Sequence, residues 1–270
     1  MTETIKMKQQ PVEDEETILK VRNLTKKFGK VVANDEISLD VKKGEMHSII
    51  GPNGAGKTTF FNLMTGVLAP TEGAIYFKGD EITNLPIEER SQRGLGRSYQ
   101  SNEMFFDRSV LENVRIAVQT ADLGLFSYDI LSRADYNHRE DAADLLNRVY
   151  LTEERNTVAR NLSHGDQRRL GIAISLATDP DLLLLDEPTS GMGPEATNET
   201  AELIESIGEE FDIPIVLIEH DMSVVMGISD RISVLYNGTH IATESPEEIR
   251  DNEEVQEAYL GGMKEEEGEV

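Results

Sequence analysis

The 270-residue chain contains no cysteine, which excludes disulfides, thiolate metal sites and a cysteine nucleophile together, and fits a cytoplasmic setting. Long apolar runs are also missing. The longest, residues 182–185 and 215–218, are strand-sized, far below the roughly 20 residues that span a bilayer. The opening stretch MTETIKMKQQPVEDEET is polar and acidic and lacks the apolar core of a secretory signal, so a cytoplasmic protein is expected, with any membrane role peripheral. Positive charge is scarce: 26 Lys and Arg stand against 51 Asp and Glu, a formal net charge of −25. That field repels phosphate backbones, so nucleic acid is not an expected partner. An excess of carboxylate also keeps proteins hydrated in concentrated salt, and a halophilic, archaeal source is the expectation. The length suffices for one large or two small domains with a core of their own.

Short apolar runs are present in number: MHSII (46–50), AIYF (74–77), LLLL (182–185), IVLI (215–218) and ISVL (232–235), separated by segments with helical spacing. This is an α/β pattern with a mostly parallel core sheet. The runs before Gly51 and before Asp186 lead straight into turn and helix signals, which places a site at the carboxyl ends of those strands. Between Gln100 and Asn161 the texture changes. VLENVRIAV and REDAADLLNRVYL show helical periodicity without strand runs, predicting an inserted helical lobe over about 101–178. Residues 1–16 and 263–270 are charged and poor in aromatics and read as disordered tails, leaving 17–262 as one folded unit.

The stretch GPNGAGKTT, comprising Gly51, Pro52, Asn53, Gly54, Ala55, Gly56, Lys57, Thr58 and Thr59, fits GxxxxGK[ST]. It stands after a strand and before the helix-like TTFFNLMTGV, the context in which the pattern binds a nucleotide rather than making a chance glycine turn. Gly51, Gly54 and Gly56 let successive N–H groups face a phosphate, while the helix dipole and Lys57 add positive potential. Thr58 can ligate Mg²⁺. In LLLLDEP a buried strand delivers two carboxylates: Asp186 to hold Mg²⁺, and Glu187 to orient and deprotonate a water for in-line attack on the γ-phosphorus.

The stretch NLSHGDQRRL brings Ser163, His164 and Asp166 together and superficially suggests a hydrolase. Neighbours in a helix-initiating turn seldom converge as a triad does, so Ser163 reads as the N-cap of the helix QRRLGIAISLA. With Gly51–Thr58, Gln100 in RSYQS, LSHGD, LLLLDEP and His220 in VLIEHD in this order, nearly the whole chain resembles the ATP-binding subunit of an ABC transporter. That resemblance implies a P-loop NTPase fold with an N-terminal antiparallel β subdomain and an inserted α-helical lobe. It implies that Ser163 and Gly165 bind the ATP held by a second ATPase subunit, that Gln100 links the metal or attacking water to the lobe, that His220 contacts the γ-phosphate, and that adenine stacks on Phe28. A lone Phe or His at a strand end is more often structural; order and spacing carry these assignments. ATP and Mg²⁺ are the implied cofactors. His164, Asp166 and Gly193 depart from the commonest family pattern, where glycine, glutamine and aspartate are usual, which puts the handling of the partner's ATP and the cross-talk between sites in doubt.

GRSYQ, LSHGDQRRLGIA, the Gly191–Met192 loop, GLFS (124–127), EHDMSVVMGISDRISVLYNG and EEIRDNEEVQEAYLGG resemble the ATPases of branched-chain amino acid importers. In that reading the partners are a second ATPase subunit, related rather than identical or else a second copy, together with membrane permease subunits and an extracytoplasmic solute-binding protein. The place of work is the cytoplasmic face of the cell membrane. An ATPase of a lipid exporter or another polar-solute importer is the alternative, with a non-transport ABC ATPase ranked below it. A regulatory module without turnover is disfavoured by the intact Lys57, Asp186 and Glu187. Ile249, Val255 and Tyr259 are spaced to dock a small terminal helix on the domain.

Overall fold

The computed structural model describes residues 16–98, 104–123 and 137–266. The elements run β1 (Thr17–Phe28), β2 (Val31–Lys42), β3 (Met46–Ile50), α1 (Lys57–Thr65), β4 (Glu72–Phe77), β5 (Asp80–Glu81), α2 (Ile87–Gln92), β6 (Leu95–Arg97), α3 (Val110–Leu123) and α4 (Asn137–Arg148). After these come α5 (His164–Leu176), β7 (Leu182–Asp186), α6 (Pro194–Phe211), β8 (Ile215–Ile218), α7 (Met222–Ile228), β9 (Arg231–Tyr236), β10 (Thr239–Glu244), α8 (Pro246–Asp251) and α9 (Glu253–Glu266). One sheet is antiparallel in the order β2-β1-β4-β5; the other, in the order β10-β9-β3-β8-β7-β6, is parallel except for its edge strand β10. The run AIYF therefore lies in the antiparallel sheet, and the other four apolar runs lie in the parallel one.

The continuous apolar runs are explained by burial on both faces. In β7, Leu183 and Leu185 pack with α5 and α6, while Leu182 and Leu184 pack with α1 and the antiparallel sheet. Ile215 and Leu217 of β8 divide from Val216 and Ile218 in the same way. Side chains alternate across a strand, so only a strand covered on both sides can be apolar at every position. Val110, Val114 and Val118 of α3 and Ala142 and Leu146 of α4 join the cluster on the α5 side, so the described lobe helices rest on the same core as the sheet.

Helix ends follow local chemistry. Helix α1 stops at Gly66, φ 85°, where the backbone turns left-handed. Its last carbonyls are taken by the buried Arg90 guanidinium, which donates to Leu63 O (2.8 Å) and Met64 O (2.6 Å), and also to Leu85 O and Thr83 O (both 2.9 Å). Helix α4 ends three residues earlier than the apolar pattern of REDAADLLNRVYL suggests. Tyr150 adopts φ 58°, and Leu151, fully buried, donates its N–H back to Leu146 O at 2.8 Å. That is a left-handed helix stop in which the apolar residue beyond the turn packs back on the core, so periodicity alone overran the boundary. Ile249 and Val255 are buried against Ile50, Val225, Ile232 and Val234, with Tyr259 packed beside them. Among the described residues, no helix is long and apolar enough to cross a membrane.

Candidate functional site

Strand β3 ends at Ile50 in the middle of the parallel sheet, and the chain turns at once through Gly51–Gly56 into α1. Two glycines are required by close approach. A Cβ at Gly51 would lie 2.2 Å from Leu235 O, and one at Gly56, φ 94°, would lie 2.4 Å from Ala33 O. The loop is drawn in against β9 and β2, closer than any side chain permits. Ala55 is buried and its N–H reaches Pro52 O at 3.2 Å, while Asn53, Gly54 and Thr58 are exposed. Thr59 is half-buried one residue further along α1. Lys57, the first residue of α1, donates its Nζ to Gly51 O (2.6 Å) and Pro52 O (3.1 Å). Burial lowers the Lys57 pKa, opposed by the carboxylates of Glu187 and Asp186.

Asp186 ends β7, and its N–H donates to Ser98 Oγ at 3.1 Å. Burial, with the neighbouring Glu187 adding to it, pushes its carboxyl up to about 6, against the opposing pull of Arg168 and Arg97. Glu187 holds the left-handed φ of 46°, rare for a residue with a side chain, and its N–H is tied to Ile218 O at 2.8 Å. Backbone strain of this kind persists only where surrounding structure enforces it, and it clusters at functional sites. His220 follows β8; its Nδ1 lies 3.8 Å from Glu187 Oε1, and both side chains face solvent. The structure thus brings Lys57, Asp186, Glu187 and His220 to the carboxyl edge of one sheet. Gln100 lies outside the described residues, though Ser98, two positions before it, stands beside Asp186. The GLFS stretch and residues 1–15 and 267–270 also lie outside them.

Ser163 caps α5: its Oγ accepts the Asp166 N–H at 3.1 Å and donates to Asp166 Oδ2 at 2.7 Å. The hydroxyl meets the carboxylate with no histidine between them, so this turn is no hydrolytic triad. Asp166, where the family pattern has glutamine, completes the cap. Among the described residues no hydrogen bond joins Ser163 or Gly165 to Gly51–Thr59. Phe28 closes β1, half-exposed, with Lys26 Nζ 5.2 Å from its ring centroid.

Several residues escaped sequence reasoning. Glu219 is fully buried and accepts hydrogen bonds from the loop after Glu187 and from His220. A carboxylate continuing a buried apolar strand was its signal. Tyr259 reaches the phosphate loop: burial pushes its phenol up to about 12, against a hydrogen bond from the Gly51 backbone. Spacing gave its docking, not its target. Asn34, fully buried on β2, carried no sequence signal.

The donors fit a magnesium nucleotide. The cradle admits no Cβ at Gly51 or Gly56, Lys57 is held on backbone carbonyls that phosphate oxygens can replace, and a hydroxyl and a carboxylate supply the hard oxygen ligands Mg²⁺ prefers. Among the described residues there is no group of three or more His, Cys, Asp or Glu side chains that could hold a metal ion.

A glycine loop between a parallel strand and a helix, facing acids at the end of a nearby parallel strand, defines a P-loop nucleoside triphosphatase. A family model described as ABC transporter matches residues 34–190, and one described as branched-chain amino acid ATP-binding cassette transporter matches residues 241–265. The high-affinity branched-chain amino acid transport ATP-binding protein LivG of Salmonella typhimurium is 43% identical over 249 residues, covering 90% of this chain and 98% of LivG. The ADP conformation of MJ1267, an ATP-binding cassette of an ABC transporter, superposes with TM-score 0.79 at 28% identity, covering 91% of this chain and 99% of that one. A dimeric post-hydrolysis state of the cassette MJ0796 with ADP and Pi gives TM-score 0.73 at 28% identity, covering 85% and 99%. The chain belongs to the ATP-binding subunits of ABC transporters. It is an ATPase that works on ATP with Mg²⁺.

Proposed function

We propose that this chain powers an importer of branched-chain or related amino acids. The reading is carried by the match at residues 241–265, which falls on β10, α8 and α9, together with the identity to LivG. Residues 17–262 form the ATPase unit, with the helical lobe over about 101–178 as its contact to permease subunits at the cytoplasmic face of the membrane. A second ATPase subunit, related or identical, and an extracytoplasmic solute-binding protein complete the assembly. The charge of −25 supports a halophilic, archaeal source, in which ATPase activity and folding rise with molar KCl as salt screens carboxylate repulsion.

Within the unit, the N–H groups of Gly51–Thr59 and the Lys57 ammonium bind the phosphates, and Phe28 stacks on adenine. Thr58, Asp186 and Gln100 hold Mg²⁺, which when bound supplies charge neutralisation at the phosphate oxygens. Glu187 accepts the proton of the attacking water, and the adjacent His220 orients toward the γ-phosphate. Ser163 and Gly165, at the start of α5, bind the ATP of the partner subunit. Two experiments test the reading. Glu187→Gln keeps size and a carbonyl acceptor but removes the base, so ATP binds while hydrolysis falls by about 10²-fold or more; wild-type turnover removes Glu187 from catalysis. Purification from the native membrane should bring a permease and an amino acid binding protein; a lipid-exporting permease instead overturns the importer assignment.

A further inference from the structure

The phosphate loop is gripped from outside by groups that belong to no nucleotide motif. Asn34 on β2 is fully buried, and its Nδ2 donates to Gly56 O at 3.2 Å. The same carbonyl accepts the Phe60 N–H of α1 at 2.9 Å. One residue earlier in the loop, Ala55 O accepts the N–H of Gly238, in the turn between β9 and β10, at 3.2 Å. The turn is itself locked to β2, because Asp35 N–H donates to Gly238 O at 2.8 Å and a Cβ at Gly238 would come within 2.8 Å of Ala33 O. A Cβ at Gly56 would fall 2.6 Å from Asn34 Nδ2, so the amide sits hard against the loop backbone. Two consecutive carbonyls, those of Ala55 and Gly56, are thereby tied to β2 and to the turn that β2 holds.

Asn34 has a second property that packing does not explain. Its Oδ1 is buried with no hydrogen-bonding partner among the described residues. An unpaired buried acceptor costs stability, and an apolar side chain of similar size would avoid that cost. The amide thus serves for what its Nδ2 does, at the expense of what its Oδ1 lacks.

We propose that Asn34 is a positioning residue for ATP binding. It adds to the Phe60 N–H of α1 a second donor on the Gly56 carbonyl and ties that carbonyl to β2, so that the loop presents its N–H groups, and not a carbonyl, to the phosphates before nucleotide arrives. A phosphate facing an inward carbonyl meets repulsion where the loop otherwise offers a donor. Because Asn34 lies on the strand that pairs with β1 and follows the turn after Phe28, the amide also fixes the adenine side of the site relative to the phosphate side. The inference rests on the assignment of Gly51–Thr59 to phosphate binding.

The test is Asn34→Leu, which keeps the approximate volume and removes both the donor and the unpaired acceptor. Affinity for a fluorescent ATP analogue with Mg²⁺ should fall by about three- to tenfold, the worth of one hydrogen bond to the loop. The thermal midpoint of the nucleotide-free protein should stay level or rise. KM for ATP should rise with kcat at saturation little changed, and Asn34→Gln, which keeps an amide donor, should recover part of the affinity. Unchanged affinity in a folded Asn34→Leu protein overturns the proposal, as does an affinity loss that merely tracks a lower midpoint. Lys57→Ala, run in parallel, separates the two layers. Affinity retained in Lys57→Ala overturns the loop assignment itself, whereas affinity lost there and kept in Asn34→Leu overturns only the role of Asn34.

Discussion

The fully buried carboxylate of Glu219 accepts hydrogen bonds from both the N–H (2.9 Å) and the hydroxyl (2.5 Å) of Thr189. Its other oxygen accepts the His220 N–H at 3.0 Å. One side chain therefore ties the loop that follows Glu187 to the residue that carries the imidazole, across two neighbouring parallel strands. Beside this tie, His220 Nδ1 lies 3.8 Å from Glu187 Oε1.

Glu219→Gln places an amide NH₂ where only acceptors fit, so at least one of three donors loses its partner. The loss of a buried, charge-assisted bond should lower stability by about 1–3 kcal/mol. ATP hydrolysis should fall about tenfold or more while ATP binding to the loop persists, because Lys57 and Gly51–Thr59 are untouched. Denaturation midpoints and steady-state kinetics measured on one preparation check this; full turnover in the variant would show that the tie does not set the geometry.

Ser163→Arg should leave each subunit's own ATP binding nearly intact and reduce hydrolysis by about 10²-fold, the scale of losing one positioned donor at a reacting phosphate. Removal of the cap on α5 costs about 1 kcal/mol on its own. A variant that loses binding to its own loop would place Ser163 in the wrong site.

His240 on β10 and Glu45, in the turn before β3, should each weaken the fold as pH falls. Burial, with the nearby His47 adding to it, lowers the His240 pKa, so below the ordinary value of 6.5 the unfolded chain takes up a proton that the folded one refuses, and stability falls. The Glu45 carboxyl lies below its ordinary 4.5: burial works to raise it, but the His47 imidazole 3.3 Å away, the hydrogen bond from the Lys42 N–H and the Arg231 charge prevail. The stability Glu45 contributes is present above 4.5 and is lost as pH falls through its lowered folded value. Folding free energy measured against pH should lose the His240 share of its slope below 6.5 in His240→Gln and part of its slope below 4.5 in Glu45→Gln, over an opposite contribution from Asp186, whose raised folded pKa makes the folded chain the better proton acceptor below about 6.

Arg90→Met fills about the same space but removes the side-chain donor from the carbonyls of Leu63, Met64, Thr83 and Leu85, leaving Leu63 O only the Gly66 N–H at 3.3 Å. Little water reaches the guanidinium, since Arg90 is 1% exposed, and burial lowers its pKa to about 10. The substitution should cost about 2–4 kcal/mol in chemical denaturation. An unchanged midpoint would mean that the α1 terminus finds other partners.

The amino-acid sequence by itself determined the α/β alternation, the parallel strands at LLLL, IVLI, MHSII and ISVL, the phosphate loop with its acids, and the cap at Ser163. These rest on local period, on turn residues and on fixed spacings within one segment, which a linear chain carries in full. Tertiary structure alone decided the rest. AIYF went to the antiparallel sheet because strand pairing is a contact between distant segments, and the left-handed stop at Tyr150 ended α4 where the core, not the pattern, required it. Asn34, Glu219 and the Tyr259 phenol became part of the site only because β2, β8 and α9 converge on the end of β3 and its loop. A hydrogen bond between residues far apart in the chain has no period and no spacing, and only the folded backbone brings its two ends together.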